Sequence, residues 1–231
     1  MVIVVGLLAL FSSLLSSFIL VLSRQTGSTP APGSTPAPGS TPAPGSTPAP
    51  GSASAVPFKA GSQTSTNLSG DGGGNAIYLD RHNVECGAKP LNQLKLNRSD
   101  NQMQWKYTCA DGGKLGSASA KSTLVSEDGG GNAIYLDRHD ADCGEENVMT
   151  QIQLHRPTGN QIQWKYTCAP NTQSKKLTCR KVTTNPNEDG GGNAIYLDRH
   201  DMKCNENEAI SRIKLKRTDD KKYQFEYTCC S

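Results

Sequence analysis

Three triplets carry the densest chemistry of the chain: Asp80-Arg81-His82, Asp137-Arg138-His139 and Asp198-Arg199-His200. In an extended strand, Asp and His two positions apart share a face while the Arg between them points away. An Asp–His pair of that kind can orient a general base. A base needs something to activate, however, and no Ser or Cys nucleophile recurs beside the triplets. They therefore read as structural groups, pairing across strands or hydrogen-bonding to a neighbouring repeat. If the three His converged on a shared axis they could hold a metal ion, but strand geometry does not bring them together. Neither a metal nor a cofactor is expected.

Each triplet ends an unchanged run, Gly-Gly-Gly-Asn-Ala-Ile-Tyr-Leu-Asp-Arg-His, that starts at Gly72, Gly129 and Gly190. One unit of about 60 residues is thus present three times. Triplication argues against an enzyme, because a catalytic centre is usually one constellation of unlike groups. The glycines are flanked by Asp71 and Asn75, Asp128 and Asn132, and Asp189 and Asn193. Glycine permits positive φ and close backbone approach, and carboxylates and amides suit sugar hydroxyls. These six residues are candidate contacts for a glycan or a neighbouring subunit. The plainer reading is a turn that needs glycine to enter a strand. The loops lack the Lys and Ser/Thr of a phosphate-binding loop, so no nucleotide is expected.

The eight cysteines fit a secreted disulfide framework. Cys86 and Cys109 lie 23 positions apart, and Cys143–Cys168 and Cys204–Cys229 lie 25 apart, at equivalent places in the repeats. Pairing within repeats leaves Cys179 with Cys230. No Cys-x-x-Cys occurs, which disfavours zinc. The net charge of +3 is too slight for a nucleic-acid partner.

Residues 1–22 are almost wholly apolar, and residues 1–23 read as a signal peptide cleaved after Ser23 or, uncleaved, as a membrane anchor. Arg24, the only flanking cation, would place the C-terminal side of an anchor in the cytosol, where eight paired cysteines are not expected. A secreted chain is the better reading. Residues 24–55 form a stalk, within which Gly-Ser-Thr-Pro-Ala-Pro is repeated four times. Proline fixes φ and removes donors, so the 26 residues 27–52 are expected as a polyproline-rich rod that reaches at most roughly 80 Å at about 3.1 Å per residue, less where its glycines bend it. Thr29, Thr35, Thr41 and Thr47 are candidate O-glycosylation sites. Asn67-Leu-Ser and Asn97-Arg-Ser are N-glycosylation sequons.

Residues 56–231 form the folded head, with repeats at about 56–112, 113–171 and 172–231. In each repeat Ala-Ile-Tyr-Leu-Asp-Arg-His is expected as a first strand. A second strand centres on Leu94 and Leu96, Ile152 and Leu154, or Ile213 and Leu215. A third places Met103, Trp105 and Tyr107 on one face, as it does Ile162, Trp164 and Tyr166, and Tyr223, Phe225 and Tyr227. A weaker run lies near Phe58–Thr66, Ser122–Val125 and Leu177–Thr183. About twelve strands and no helix result: an all-β, pseudo-threefold single domain, either a β-prism or a β-trefoil, closed around one aromatic core.

The order Cys-Gly, Leu-x-x-Leu-x-Leu-x-Arg, then Gln-x-Gln-Trp-Lys-Tyr-Thr-Cys resembles the repeat of vitelline membrane outer layer proteins and the dermatopontin pattern. The first strand carries Ile and Leu where the egg-coat family has diagnostic tryptophans. The Tyr-Leu-Asp-Arg-His…Tyr-Thr-Cys-Cys signature is similar to repeats of uncharacterised protist and algal extracellular proteins. The glycine loops with an acidic residue resemble those of β-prism lectins, and the stalk resembles mucin-like or hydroxyproline-rich glycoproteins. The resemblance spans about residues 57–231 and favours the prism. It implies a non-enzymatic extracellular glycoprotein, structural or adhesive, in a cell coat, matrix or fibre. The alternative is a multivalent lectin acting through the glycine loops. The partners expected are glycans, other coat or matrix proteins, or further copies of the chain.

Overall fold

The computed structural model describes residues 57–173, 176–219 and 221–231. Residues 1–23, read from the sequence as a signal peptide or anchor, and the stalk expected at 24–55 with its four threonines lie outside the described residues. The head is all-β, built from three separate five-stranded antiparallel sheets. The first repeat supplies β1 (Lys59–Ser65), β2 (Ser69–Gly70), the 3₁₀ helix η1 (Ala76–Arg81), β3 (Val84–Glu85), β4 (Leu91–Ser99) and β5 (Gln102–Asp111). The second supplies β6 (Ser119–Ser122), β7 (Ser126–Glu127), η2 (Ala133–Arg138), β8 (Asp140–Asp142), β9 (Asn147–His155) and β10 (Gln161–Pro170). The third supplies β11 (Cys179–Thr183), β12 (Asn187–Glu188), η3 (Ala194–Arg199), β13 (Asp201–Lys203), β14 (Ala209–Asp219) and β15 (Lys222–Cys230).

The long hairpins β4–β5, β9–β10 and β14–β15 form where apolar and polar residues alternate, because period two puts one set on a single face. That face is buried: Leu94, Leu96 and Trp105, then Ile152, Leu154 and Trp164, then Ile213, Leu215 and Phe225, all join one continuous core. A smaller cluster joins Phe58 and Ala110 to Val148, Leu177, Ala209 and Cys230. No single repeat could cover its aromatic stripe alone, so the three share it.

Ala-Ile-Tyr-Leu-Asp-Arg is not a strand in any repeat. It forms η1, η2 and η3, and the described residues contain fifteen strands rather than about twelve, many of them very short. The reason is local. Asn75, Asn132 and Asn193 each cap a helix by accepting the backbone N–H two residues on. Ala76, Leu79 and His82 are then buried at every third position, the period of a 3₁₀ helix. Asp80 and His82 therefore do not share the face of a strand. The weak run expected near Ser122–Val125 ends at Ser122, and Leu124 beyond it is 90 % exposed.

After each 3₁₀ helix the chain crosses to the next repeat. β3 pairs with β9, β8 with β14, and β13 with β4. The first repeat thus donates a strand to the second, the second to the third and the third to the first. The ring closes after three donations.

Candidate functional site

The glycine triplets meet where these donations begin. Gly72, Gly73 and Gly74 have φ of 58°, 71° and 88°, and the other two triplets repeat those values closely. Only residues without Cβ enter that region freely. Asp71 closes the loop by accepting the Gly73 N–H at 2.9 Å, and Asp128 and Asp189 accept from Gly130 and Gly191 at 2.8 Å. Asn75, Asn132 and Asn193 accept from Ile77, Ile134 and Ile195 at 2.9–3.0 Å.

The loops also interlock. Ala76 donates its N–H to the Gly131 carbonyl at 2.7 Å, Ala133 to Gly192 at 2.8 Å, and Ala194 to Gly74 at 2.7 Å. A Cβ built on Gly74 would fall 1.7 Å from the Asn193 side chain, on Gly131 1.8 Å from Asn75, and on Gly192 1.8 Å from Asn132. The middle glycines Gly73, Gly130 and Gly191 have nothing within 4 Å of such a Cβ. The six Asp and Asn are therefore gathered into one threefold crown. One side-chain oxygen of each, Oδ1, is taken by its own loop, Asp71 Oδ2 lies 3.7 Å from the Arg98 guanidinium, and the three Asp are only 3–5 % exposed.

What the crown offers to solvent is different. Tyr78, Tyr135 and Tyr196 each lie against the first glycine of their loop, where a Cβ would sit 2.1–2.3 Å from the ring. On these rings rest Arg81, Arg138 and Arg199, with guanidinium carbons 4.0–4.1 Å from the centroids. A stacked guanidinium keeps its in-plane N–H donors free for a polar partner. Arg199 also lies 3.8 Å from Glu188.

The triplet histidines face inward, each 1 % exposed. His82 Nδ1 meets the Thr66 hydroxyl at 3.0 Å and Nε2 the Ser69 hydroxyl at 3.0 Å. His139 does the same with Thr123 and Ser126, both at 2.9 Å. The threonine oxygen already accepts a backbone N–H, from Trp105 or Trp164 at 3.0 Å. Its own proton can then point to Nδ1, which fits a neutral ring with the proton on Nε2. Burial lowers both pKa values, although the Asn67 and Leu124 carbonyls favour the protonated rings. His200 keeps its threonine, Thr184, at 2.9 Å, but its Nε2 has no partner among the described residues. Where the serine would stand is Asn187, which donates instead to the Asn185 carbonyl. Burial, then the nearby Arg199 charge, lowers the His200 pKa to about 4. Among the described residues, the one grouping with metal-ligand types is Cys204, Glu208 and Cys229, and its two sulfurs are bonded to each other.

A set of cross-repeat locks escaped the sequence. The residue that follows each histidine is Asn83, Asp140 or Asp201, and it is held by the repeat that receives the donated strand. Gln151 donates to Asn83 at 2.9 Å, Gln93 to Asp201 at 2.7 Å, and Arg212 to Asp140 in a bidentate pair at 2.7 and 2.6 Å. Only the recurrence of a polar residue after His could have signalled them.

All eight cysteines are bridged, as Cys86–Cys109, Cys143–Cys168, Cys179–Cys230 and Cys204–Cys229. These are the pairs that positional equivalence gives. Asn67 is exposed in the turn before β2, and its sequon serine, Ser69, is the His82 partner. Asn97 is half-buried on β4. None of the described helices is long and apolar enough to cross a membrane. No protein family matches the chain, and no curated protein or solved structure matches it.

Proposed function

We propose that this protein is a non-enzymatic extracellular glycoprotein with a structural or adhesive role in a cell coat, matrix or fibre. The observation that carries this reading is the complete pairing of eight cysteines in the head, the usage of an oxidising compartment. The inward-facing histidines of the triplets support it, because a histidine 1 % exposed and bonded within its own repeat meets no substrate. Three separate sheets around one core favour the prism over the trefoil. Non-reducing peptide mapping with glycan analysis of the native protein tests the proposal. Bridged cysteines, sugar on the stalk between Thr29 and Thr47, and glycans at Asn67 and Asn97 are the expected result. Free thiols and unmodified stalk peptides, at a mass of 24.6 kDa or less, would overturn it.

One observation favours the lectin as a second reading: three equivalent, solvent-facing Arg–Tyr stacks surround the crown. In this form the glycan contacts shift from the occupied Asp and Asn side chains to Arg81, Arg138 and Arg199. Each contact alone is weak, and multiplicity supplies the avidity. A glycan array run with the wild type and the triple Arg→Ala variant decides. Saturable binding that the variant loses supports the lectin, and binding indifferent to the substitutions removes it.

A further inference from the structure

The three junctions between repeats are variants of one contact. In each, a short donated strand lies on a long hairpin: Val84 opposite Ile152, Ala141 opposite Ile213, Met202 opposite Leu94. In each, an alanine N–H bonds a glycine carbonyl of the next loop at 2.7–2.8 Å. The contact is heterologous, because donor and acceptor surfaces differ. Such contacts make a closed ring when the rotation closes and an open chain when it does not.

Covalent staples do nothing to enforce closure within one molecule. Every disulfide lies inside a repeat. The third repeat is the most self-contained, since Cys179–Cys230 ties its first strand to its last and Cys204–Cys229 ties the donated segment to the same last strand. Both junctions that hold this repeat, from the second and to the first, are non-covalent.

We propose that the third repeat is an exchangeable unit, and that the partner it docks onto is the first and second repeats of another copy of this chain. Each head still contains three repeats and all three junctions, so no contact is lost. Only the connection between the second and third repeats takes a different course. Reciprocal exchange gives a dimer, and serial exchange gives a head-to-tail chain. The inference does not depend on the coat reading, since it rests on the junctions and the placement of the bridges.

The test uses the full chain with its disulfides intact. Unlabelled and ¹⁵N-labelled protein are mixed, unfolded in guanidinium without reductant, and refolded over a range of concentrations. Light scattering should show monomer in dilute refolding, and multiples of the chain mass as concentration rises. Carbodiimide then couples Lys214 to Asp140, which meet across the second junction at 3.5 Å. Mixed-isotope Lys214–Asp140 peptides should appear in the multimers and be absent from the monomer. Multimers with only same-isotope peptides would be ordinary association and would overturn the proposal, as would monomer at every concentration.

Discussion

The first two repeats hold their buried histidine at both ring nitrogens, and the third holds it at one. Yet the crown above it is the same in all three. The third repeat differs again on its sheet face. Where the others present Gln93 and Lys106, or Gln151 and Lys165, it presents Arg212 and Glu226, which meet at 2.7 Å. Arg212 also grips Asp140, and Lys216 reaches Glu226 at 2.6 Å. It alone carries a second disulfide. The third repeat thus keeps the shared fold with one buried hydrogen bond fewer and more ionic and covalent ties. Local satisfaction and cross-linking are interchangeable beneath a fixed crown.

The largest effect should come from cutting the extra tie. Replacing Cys179 and Cys230 by Ser opens a link spanning 51 positions. In the chain-entropy account this costs about 4 kcal/mol. Denaturation curves should show the loss, with hydrogen exchange rising first in β11 and β15. Uniform exchange across all three sheets would break the claim that the third repeat leans on its bridges.

The crown tests sameness. Gly131→Ala places a Cβ on the Asn75 side chain in a left-handed conformation, and should cost about 3 kcal/mol from overpacking and backbone strain together. Gly74→Ala and Gly192→Ala should cost as much. Gly130→Ala meets no atom and should cost only about 1 kcal/mol, for its φ. Unequal costs at the three equivalent glycines would show that the crown is symmetric in outline only.

Acid should act on all three buried histidines, most strongly through the third repeat and the junction it receives. A histidine whose folded pKa lies below its unfolded value takes up its proton more readily when unfolded, so stability is lost as pH falls. For His200 the window runs from 6.5 down to about 4, and the loss is on the order of 3 kcal/mol at its end. Asp140, Glu208 and Glu226 add a second step. Burial alone would raise Asp140, and Arg212 and Lys214 together outweigh it, while Arg180 and Lys216 lead the lowering at Glu208 and Glu226. Their contribution is present above the unfolded values of 3.8 and 4.5 and is lost as pH falls through the lowered ones. An NMR titration that finds His200 ionising near 6.5 would remove the first step.

Converting the third sheet face to that of its neighbours should be instructive. Arg212→Gln alone leaves Asp140 and Glu226 without their shared cation and should cost about 2 kcal/mol. Adding Glu226→Lys reproduces the pattern of the first two repeats and should recover most of that loss. A double-mutant cycle with no coupling would mean the two side chains act separately. The smallest change is Asn187→Ser, which restores the missing hydroxyl beside His200 and should gain about 1 kcal/mol. The reverse substitution, Ser126→Asn, should cost a similar amount. If neither moves the midpoint, the third histidine is already satisfied.

The hairpins were legible because alternation and burial coincide at Leu94, Leu96 and Trp105 and at their equivalents. The bridges were legible because the cysteines occupy repeated places. The 3₁₀ helices read as strands in the sequence, since Ile, Tyr and Leu in succession carry the composition of a strand. The better signal was the Asn cap and the spacing Ala76, Leu79, His82. The donated strands span two or three residues, too few to show a period. Which repeat receives them depends on tertiary closure and leaves no local mark. The six Asp and Asn are legible as a group, but that each spends its Oδ1 on its own loop follows only from the backbone turning through positive φ.

A ring of heterologous contacts that closes after three members is the arrangement of a cyclic C₃ homotrimer. Here one polypeptide occupies all three places. Joining the members in a single chain lets one molecule complete the ring by itself, and it lifts the demand that every protomer carry the same side chain at the same site. Asn187, Arg212 and Tyr223 are substitutions that a true trimer would have to bear three times over, and this chain bears once. The segment that closes the ring has no such freedom. Each copy of it faces both neighbours, and its eleven residues are spelled identically in all three places.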